Sequence, residues 1–282
     1  MLENIKLIYE NIEIFDTIAS MDILLTNDDG YSSIGFYPLL EKLSKKFKVS
    51  AIAPNAQKSW VGKSITAHAK FELGSAKAGK FIINTIEGTP ADCVQIGLYH
   101  LLKNPPKLVI SGINIGENIG HGRILSSGTI GAAMEAAIDG VRSIASSLCI
   151  PHDVQKHINF FDKKNYYIFE DAAKITFKLA EMLINAKLDK QIDVISINIP
   201  YGATIDSPIE ITRPFKEPYG QLFFKQENLL VHANPTIDIK NLKIGTDLKA
   251  ISEGKISVTP INLDLVSQDS ADFLKETIKK NW

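Results

Sequence analysis

Cysteine is scarce in this chain, and neither sign of charge is in marked excess. The 282 residues include only two cysteines, Cys93 and Cys149, which are too few for a disulfide framework and lack zinc-finger spacing. The formal net charge of −1 means that no overall basic field favours nucleic acid or an anionic membrane as a partner. No apolar run is long enough for a membrane-spanning helix. These absences predict a cytoplasmic protein with no nucleic acid polymer and no membrane among its partners.

The composition is that of an ordinary globular protein, with 45% hydrophobic and 22% charged residues. This length suits one large α/β domain, or a domain with an appendage. Residues 1–20 place apolar side chains at helical spacing, carry several acidic residues and have no arginine. That pattern excludes a transit peptide and lacks the apolar core of a secretory signal. We expect an N-terminal extension over 1–20, either a short amphipathic helix or a leader before an alternative start at Met21.

Short apolar runs alternate with helical patterns between residues 21 and 200. The runs predict buried strands at 23–25, 49–54, 81–83, 108–111, 141–148 and 194–197. Helical periodicity and helix-start signals predict helices at 33–46, 90–102, 129–139 and 166–186. This alternation is typical of βαβ units. We therefore predict a core over 21–200 with an α/β fold, a Rossmann-like three-layer sandwich with a mostly parallel sheet.

The character of the chain changes after Pro200. Prolines, glycines and short alternating runs follow, so we assign 201–282 to a C-terminal appendage. Residues 221–226 and 229–233 have the pattern of two strands around Glu227 and Asn228, which predicts a β-hairpin. A lone hairpin is only marginally stable in water, and its open edges favour pairing with another chain.

Two adjacent aspartates follow the first predicted strand. Asp28 and Asp29 lie in the stretch 21–30 (MDILLTNDDG), between a buried strand and a helical pattern. In open α/β sheets, ligands bind beyond the carboxyl ends of the strands. Two carboxylates side by side at that edge repel each other unless a cation lies between them. A metal site is one interpretation, and the other is that Asp28 forms the turn while Asp29 caps the helix.

Other polar loops are expected at the same sheet edge, because right-handed crossovers place every strand-to-helix loop on one edge. These loops are 27–33, 55–64 and 112–128. Ser59 and Asn114 lie in the second and third of them and add hard oxygen atoms to those of Asp28 and Asp29. Such a donor set suits Mg²⁺ or Mn²⁺ better than zinc. Taken alone, Ser59 is an ordinary loop serine, and Asn114 could simply shape a turn.

An anion site is also indicated at this edge. Ser127-Gly128-Thr129 precedes an alanine-rich helix, and the unpaired N–H groups at a helix N-terminus favour a negatively charged group. Thr129 could instead be the cap of that helix. A divalent cation beside an anion pocket fits the hydrolysis of a phosphate ester.

Several segments together resemble the SurE family, the survival-protein-E nucleotidases, which are metal-dependent nucleoside-monophosphate phosphatases. The segments are 21–30 (MDILLTNDDG), 55–66 (NAQKSWVGKSIT), 88–94 (GTPADCV), 111–120 (SGINIGENIG), 127–135 (SGTIGAAME) and 257–260 (SVTP). An N-D-D-G loop followed in order by S-G-I-N and S-G-T is specific to this family, whereas one block alone would not be. The resemblance covers about 21–200 and extends to the segment near the end.

The resemblance implies one divalent metal ion per subunit, either Mn²⁺, Mg²⁺ or Co²⁺. The metal ligands that it implies are Asp28, Asp29, Ser59 and Asn114. The residues assigned to phosphate and substrate are Asn118, Ser127, Gly128 and Thr129. The implied reaction is hydrolysis of nucleoside 5′-monophosphates, with 3′-monophosphates and short polyphosphate as further candidate substrates. As the catalytic residues, Asp28 or Asp29 would orient or deprotonate the attacking water.

Two positions depart from similar sequences. Ser126 stands where a tyrosine is common, and Trp60 stands where a small residue is usual. Both are expected near the pocket, so they bear on the preference for base and substrate size. His121, in the loop before Ser127, is a candidate to protonate the leaving group, or else a solvent-facing loop histidine.

Three other functions fit the residues less well. A haloacid-dehalogenase-type phosphatase has two aspartates separated by one residue, whereas Asp28 and Asp29 are adjacent. A dinucleotide-dependent oxidoreductase would have G-x-G-x-x-G after its first strand, whereas Gly112, Gly116 and Gly120 are spaced by four. A non-catalytic nucleotide sensor stays open, although metal ligands would be superfluous in it.

The resemblance also implies that C-terminal arms are exchanged between subunits. We therefore predict that 201–282, with its hairpin and a returning strand near 257–260, is an oligomerisation appendage. Full burial would contribute roughly 1.5–3 kcal/mol for each of Phe223, Phe224, Leu230 and Val231. Packing of the hairpin on the chain's own core is the alternative to packing on another subunit. We expect a homodimer, with a homotetramer as a further candidate.

Overall fold

The computed structural model describes residues 21–216, 218, 220–232 and 242–281, and the predicted extension over 1–20 lies outside them. The strands are β1 (Ile23–Thr26), β2 (Val49–Pro54), β3 (Gly74–Ala78), β4 (Phe81–Ile86), β5 (Leu108–Ile115), β6 (Ser143–Cys149), β7 (Val194–Pro200), β8 (Ile209–Ile211), β9 (Phe223–Gln226), β10 (Leu229–His232) and β11 (Ile256–Ile261). The α-helices are α1 (Phe36–Leu43), α2 (Pro90–Ile96), α3 (Gly120–Ser126), α4 (Gly128–Ile138), α5 (His152–Gln155), α6 (Glu170–Leu183), α7 (Asp247–Ser252) and α8 (Gln268–Asn281). A π-helical turn (Gly97–Leu101) follows α2, and a 3₁₀ helix (Lys163–Phe169) leads into α6. No helix in these ranges is both long and apolar enough to cross a membrane.

One large sheet organises the molecule, in the strand order β3-β4-β2-β1-β5-β6-β7-β11-β8. The strands from β4 to β7 run parallel, whereas β3 and β11 run antiparallel to their inner neighbours. The chain leaves β1 outward through β2 and then returns to the other side of β1 with β5. The order of strands therefore reverses beside β1, which is where α/β sheets open a crevice for ligands.

The central strands are buried on both faces because helices cover each of them. Ile23 and Leu25 of β1 belong to the core beneath α1 and α6, whereas Leu24 between them packs in the core beneath α2 and α4. This alternation follows from the period of two along a strand. The predicted three-layer sandwich with a mostly parallel sheet is confirmed.

Some local elements differ from the sequence prediction. The loop expected over 112–128 contains helix α3, whose two glycines weaken the helical signal. Strand β3 (GSAKA) forms the sheet edge without any apolar run, so propensity alone did not reveal it. The helix expected from 33 begins at Phe36, and the first turns of the helix expected from 166 are 3₁₀.

The C-terminal part contains both the predicted hairpin and the returning strand. In the hairpin, Phe224 lies opposite Val231 and Phe223 lies opposite His232. Strand β11 returns to the main sheet and pairs with β7. Ala233, the expected end of the hairpin, lies outside the described residues. The polypeptide after Pro200 thus extends the main sheet and also forms a separate two-stranded hairpin.

Candidate metal and phosphate site

Three loops meet at the carboxyl ends of β1, β2 and β5. The backbone N–H of Lys58 donates to the carbonyl of Asp28 at 2.7 Å. From the third loop, the N–H of Ile115 donates to Asp29 Oδ2 at 3.0 Å. The structure therefore brings together the polar loops that the sequence predicts at one edge.

Asp28 lies directly beyond β1, next to the N-terminus of α4. Its side chain is buried, and Thr129 Oγ1 donates a hydrogen bond to its Oδ1 at 2.6 Å. A Cβ at Gly128 would lie 2.8 Å from Asp28 Cβ and 3.0 Å from the carbonyl oxygen of Lys58. Only glycine allows this close approach, so Gly128 is required for the helix to reach the carboxylate.

Asp29 is held by neutral donors. Besides the N–H of Ile115, Gln57 Nε2 lies 3.4 Å from Asp29 Oδ1, and it also donates to Ser59 Oγ at 3.0 Å. Gln57 thus links the second aspartate to the candidate serine ligand, a role that sequence reasoning missed. The alternative in which Asp29 caps the following helix is wrong, because α1 has Gly35 at its N-cap position.

The two carboxyl groups are buried side by side without a basic partner. None of the ion pairs among the described residues includes either aspartate. Burial raises the pKa of Asp28, although the hydrogen bond from Thr129 opposes this rise. Burial, and then the charge of Asp28, raise the pKa of Asp29 well above its ordinary value. Like charges in such a site favour a divalent cation between them.

Asn114 reaches the site through an irregularity in β5. The register of β5 with β6 shifts between Ser111 and Asn114. At Gly112, φ is +133°, and a Cβ would lie 2.3 Å from the carbonyl oxygen of Ser146. An irregularity of this kind redirects the side chains that follow it. Asn114 Nδ2 donates to the carbonyl of Gly116 at 2.9 Å, which holds the amide in place beside the aspartates.

The cap of α4 is Ser127 and not Thr129. Ser127 Oγ accepts a hydrogen bond from the N–H of Ile130 at 3.1 Å, whereas the Thr129 hydroxyl is directed to Asp28. The N-terminus of this 11-residue helix, with its partial positive charge, therefore lies against the acidic pair.

Asn118 is fixed by residues that are remote in sequence. The amide of Asn198 accepts from the N–H of Asn118 at 2.9 Å and donates to its carbonyl at 3.2 Å. Asn118 Nδ2 donates to Ser147 Oγ at 2.9 Å. Just beyond it, Asp247 Oδ2 accepts from the N–H of Gly120 at 2.6 Å. Sequence reasoning missed these supports, because no local pattern marks the distant partners.

One open cavity of about 950 Å³ joins these groups. The predicted residues that line it are Asp28, Ser59, Asn114, Asn118 and Ser127, and the two atypical positions, Trp60 and Ser126, line it as well. Asp29, Gly128 and Thr129 are not among the described lining residues, but Asp29 accepts a hydrogen bond from the N–H of Ile115 and Thr129 donates one to Asp28, and both of those partners line the cavity. His121 is not among them either, and its Nδ1 lies 3.2 Å from the carbonyl oxygen of Phe215. That position does not support His121 as the acid for the leaving group.

The donor set at this cavity fits a hard divalent cation. The part of the chain that the structure describes has no cluster of three or more His, Cys, Asp or Glu that could hold a metal. A cation here would therefore depend on the two carboxylates, on the neutral oxygens of Ser59 and Asn114, and on water. Mg²⁺ and Mn²⁺ accept such oxygen ligands, whereas structural zinc sites are built from Cys and His.

Known proteins share both the sequence and the fold. The family model described as "Survival protein SurE" matches residues 23–221. The chain is 39% identical over 261 residues to 5′-nucleotidase SurE of Methanocaldococcus jannaschii, a match that covers 90% of this chain and 96% of that protein. It is 37% identical over 256 residues to 5′-nucleotidase SurE of Methanosarcina barkeri, covering 86% of this chain and 92% of that protein.

A solved structure of a SurE protein is also similar to this chain. The crystal structure of the SurE protein from Aquifex aeolicus matches with a TM-score of 0.72 at 30% identity, over 90% of this chain and 99% of that one. Because the family model spans most of the chain and the relatives are matched over nearly their whole length, this chain belongs to the SurE family.

Proposed function

We propose that this chain is a metal-dependent 5′-nucleotidase, which hydrolyses nucleoside 5′-monophosphates to nucleoside and phosphate. The observation that carries the proposal is the buried pair of Asp28 and Asp29 against the N-terminus of α4, beside one open cavity. The relatives from M. jannaschii and M. barkeri are named 5′-nucleotidase SurE. Nucleoside 3′-monophosphates and short polyphosphate are further candidate substrates, because they also present a terminal phosphate.

One Mn²⁺, Mg²⁺ or Co²⁺ per subunit would be held by the oxygens of Asp28, Asp29, Ser59 and Asn114. When bound, such an ion polarises a phosphoryl oxygen and makes water more acidic. The four ligands come from three loops that contact each other only in the folded chain. Gln57 supports two of them, because it bonds both Asp29 and Ser59.

The substrate phosphate would bind at the N-terminus of α4. There the backbone N–H groups near Ser127, Gly128 and Thr129 favour an anion, and Ser127 lines the cavity. Asn118 would contact the substrate from the opposite loop, held in place by Asn198. Asp28 or Asp29 would orient the attacking water or accept its proton.

The proposal is tested with a panel of nucleoside monophosphates in the presence of Mn²⁺, Mg²⁺ or Co²⁺, and again with EDTA. Turnover that requires a divalent cation supports it. Turnover that persists in EDTA contradicts it. Nucleotide binding without turnover would indicate the non-catalytic sensor, and a trapped phosphoenzyme would indicate the haloacid-dehalogenase-type mechanism.

Replacing Ser127 by alanine should lower kcat/KM modestly, by about 1–2 kcal/mol in transition-state binding. The hydroxyl donor is lost, but the backbone N–H groups remain. Asn114→Ala should lower kcat/KM more than Ser127→Ala does, because it removes a proposed metal ligand. Since Ser127 is also a helix cap, Thr89→Ala is the matched control: Thr89 caps α2 in the same way outside the cavity. A reversed order of severity would mean that the anion lies on another loop.

Metal binding should be visible without any assay of activity. A ligand at about 100 times its Kd stabilises the folded state by about 2.7 kcal/mol, which raises Tm by roughly 5 °C for a protein of this size. We expect this rise with Mn²⁺, its reversal by EDTA, and its loss in Asp28→Asn. The control is Asp92→Asn, since Asp92 is a buried carboxylate outside the cavity and should leave the metal-induced shift intact. An equal shift in both variants would place the metal elsewhere.

We also propose that the chain forms a homodimer, with a homotetramer as a further candidate, and that 201–282 is the oligomerisation appendage of a catalytic core over 21–200. The support is the exposed apolar surface of the hairpin, which includes Phe223 and Leu230, 54% and 72% exposed, on the face of His232. Phe224, Leu229 and Val231 are 45%, 69% and 41% exposed. Cross-strand pairing puts these three side chains on one face, which is the face opposite to that of His232.

A further inference from the structure

The cavity beside the candidate metal site has an aromatic wall built from two distant parts of the chain. Trp60 directly follows Ser59, so its Cα lies about 3.8 Å from that of a candidate metal ligand. Its ring centroid lies 5.1 Å from that of His232 on strand β10, at an interplanar angle of 74°. Both residues line the cavity, and the ring of Phe223 continues the row 5.5 Å from that of His232.

The backbone holds Trp60 in an uncommon conformation. Its φ is +63°, a value that bulky residues rarely adopt and that glycine would adopt without cost. The loop is anchored on both sides, because Lys58 N–H donates to the carbonyl of Asp28 at 2.7 Å and Gly62 N–H donates to the carbonyl of Ser126 at 2.8 Å. The large ring at this position therefore carries a backbone cost, and its loop is connected by hydrogen bonds to Asp28 and to Ser126.

The lining of the cavity indicates which part of a substrate the Trp60 ring could contact. Of the described lining residues, Trp60 is the one Phe, Tyr or Trp. Trp60 is 40% exposed, and its ring contacts that of His232 on the hairpin. The loop that carries Ser59 continues directly into Trp60, so a nucleoside monophosphate whose phosphate lay at the N-terminus of α4 would have the Trp60 ring in the same cavity as its base.

We propose that Trp60, together with His232, is the nucleobase-binding wall of this site and sets a preference for nucleotides, purines foremost, over phosphate esters that lack an aromatic base. This inference rests on the proposed nucleotidase function and extends it to substrate selection. Stacking of a base on an aromatic side chain does not depend on hydrogen-bond readout, so the wall accepts each base but favours the larger ring system.

The first test compares kcat/KM for AMP with kcat/KM for ribose 5-phosphate. Trp60→Asn keeps a residue that tolerates positive φ while it removes the ring. We expect the ratio to fall by about a factor of 10, on the scale of losing one base–aromatic stack. Trp60→Phe should recover part of this ratio of kcat/KM values. His232→Ala, which removes the part of the wall that the hairpin contributes, should lower the ratio. The matched control is His68→Asn, because His68 has φ of +62° and is exposed, but does not line the cavity.

The second test measures binding and does not depend on turnover. The chain has two tryptophans, so Trp282→Phe leaves Trp60 as the sole tryptophan reporter. Adenosine, which carries no phosphate to hydrolyse, should quench this fluorescence, and ribose 5-phosphate should not.

The outcomes separate the inference from the proposed function. An unchanged ratio in Trp60→Asn, or equal quenching by both compounds, overturns the aromatic wall even if the enzyme is a nucleotidase. If wild-type protein hydrolyses neither phosphate, the nucleotidase proposal fails, and quenching by adenosine alone still supports the wall. If Trp60→Asn does not fold, His232→Ala and the fluorescence titration decide.

Discussion

Replacing Asp28 by asparagine is expected to lower metal-dependent phosphatase turnover by a factor of about 10² or more, even at saturating Mn²⁺. Asparagine keeps the shape of the side chain and can still accept the hydrogen bond from Thr129. What it removes is half of the negative charge that would hold the cation. Asp29→Asn should have an effect of the same order, because the two carboxyl groups share one buried site.

The measurement is steady-state hydrolysis of AMP over a series of metal concentrations, together with the Tm of each variant. The fold should survive both substitutions, because the pair lies in a loop at the sheet edge. Asp92→Asn again provides the control. Asp92 is buried and forms the capping box of α2 with Thr89, so its loss should lower stability while turnover is kept. Near-normal turnover of Asp28→Asn at saturating Mn²⁺ would show that the metal-ligand assignment is wrong.

Removing the hairpin is expected to convert a dimer into a monomer. A variant that lacks 217–234, bridged by a Gly-Ser linker, should have half the wild-type mass by light scattering at micromolar concentration. The physical reason is that a two-stranded hairpin is marginal by itself, whereas burial of its apolar side chains against a second copy contributes roughly 1.5–3 kcal/mol for each one fully buried.

A point substitution makes this test sharper. Phe224 and Val231 lie opposite each other on the face directed away from His232, so changing both to glutamate should dissociate the dimer. Lys225 lies on the other face of the same hairpin, and Lys225→Glu is the matched control that should leave the mass unchanged. A wild-type protein that runs as a monomer, or a deletion that leaves a dimer, would refute the proposed interface.

The two largest predictions differ in how far the sequence alone supports them. The acidic pair is visible as N-D-D-G after a buried run, and the structure then shows that Asp29 is not a helix cap, since α1 begins at Phe36. The hairpin is visible from its two short strands. That His232 of the hairpin lies beside Trp60 follows only from the tertiary structure, because this contact joins segments far apart in the chain.

The individual roles of Ser127, Gly128 and Thr129 likewise depend partly on the sequence and partly on the tertiary structure. Sequence places Ser127, Gly128 and Thr129 at a helix start, and α4 does begin there. Which hydroxyl caps the helix and which bonds Asp28 depends on the approach of α4 to β1. That approach is set by packing, since a Cβ at Gly128 would collide with Asp28. The distance between α4 and the end of β1 cannot be obtained from the composition or from the spacing of residues in the sequence.

The sequence by itself determines the fold class, because this depends on local periodicity, and it predicts which oxygen-bearing side chains lie at the sheet edge. The buried run of β1, the start of the helix at Pro90 and the oxygen-bearing loops are each readable within about ten residues. Only the tertiary structure decides that Asn198 holds Asn118, that Asp247 holds Gly120 and that His232 lies beside Trp60. The first two of these bonds join residues 80 and 127 positions apart. Closing loops of that length costs chain entropy, which is offset by packing throughout the core rather than by any local pattern.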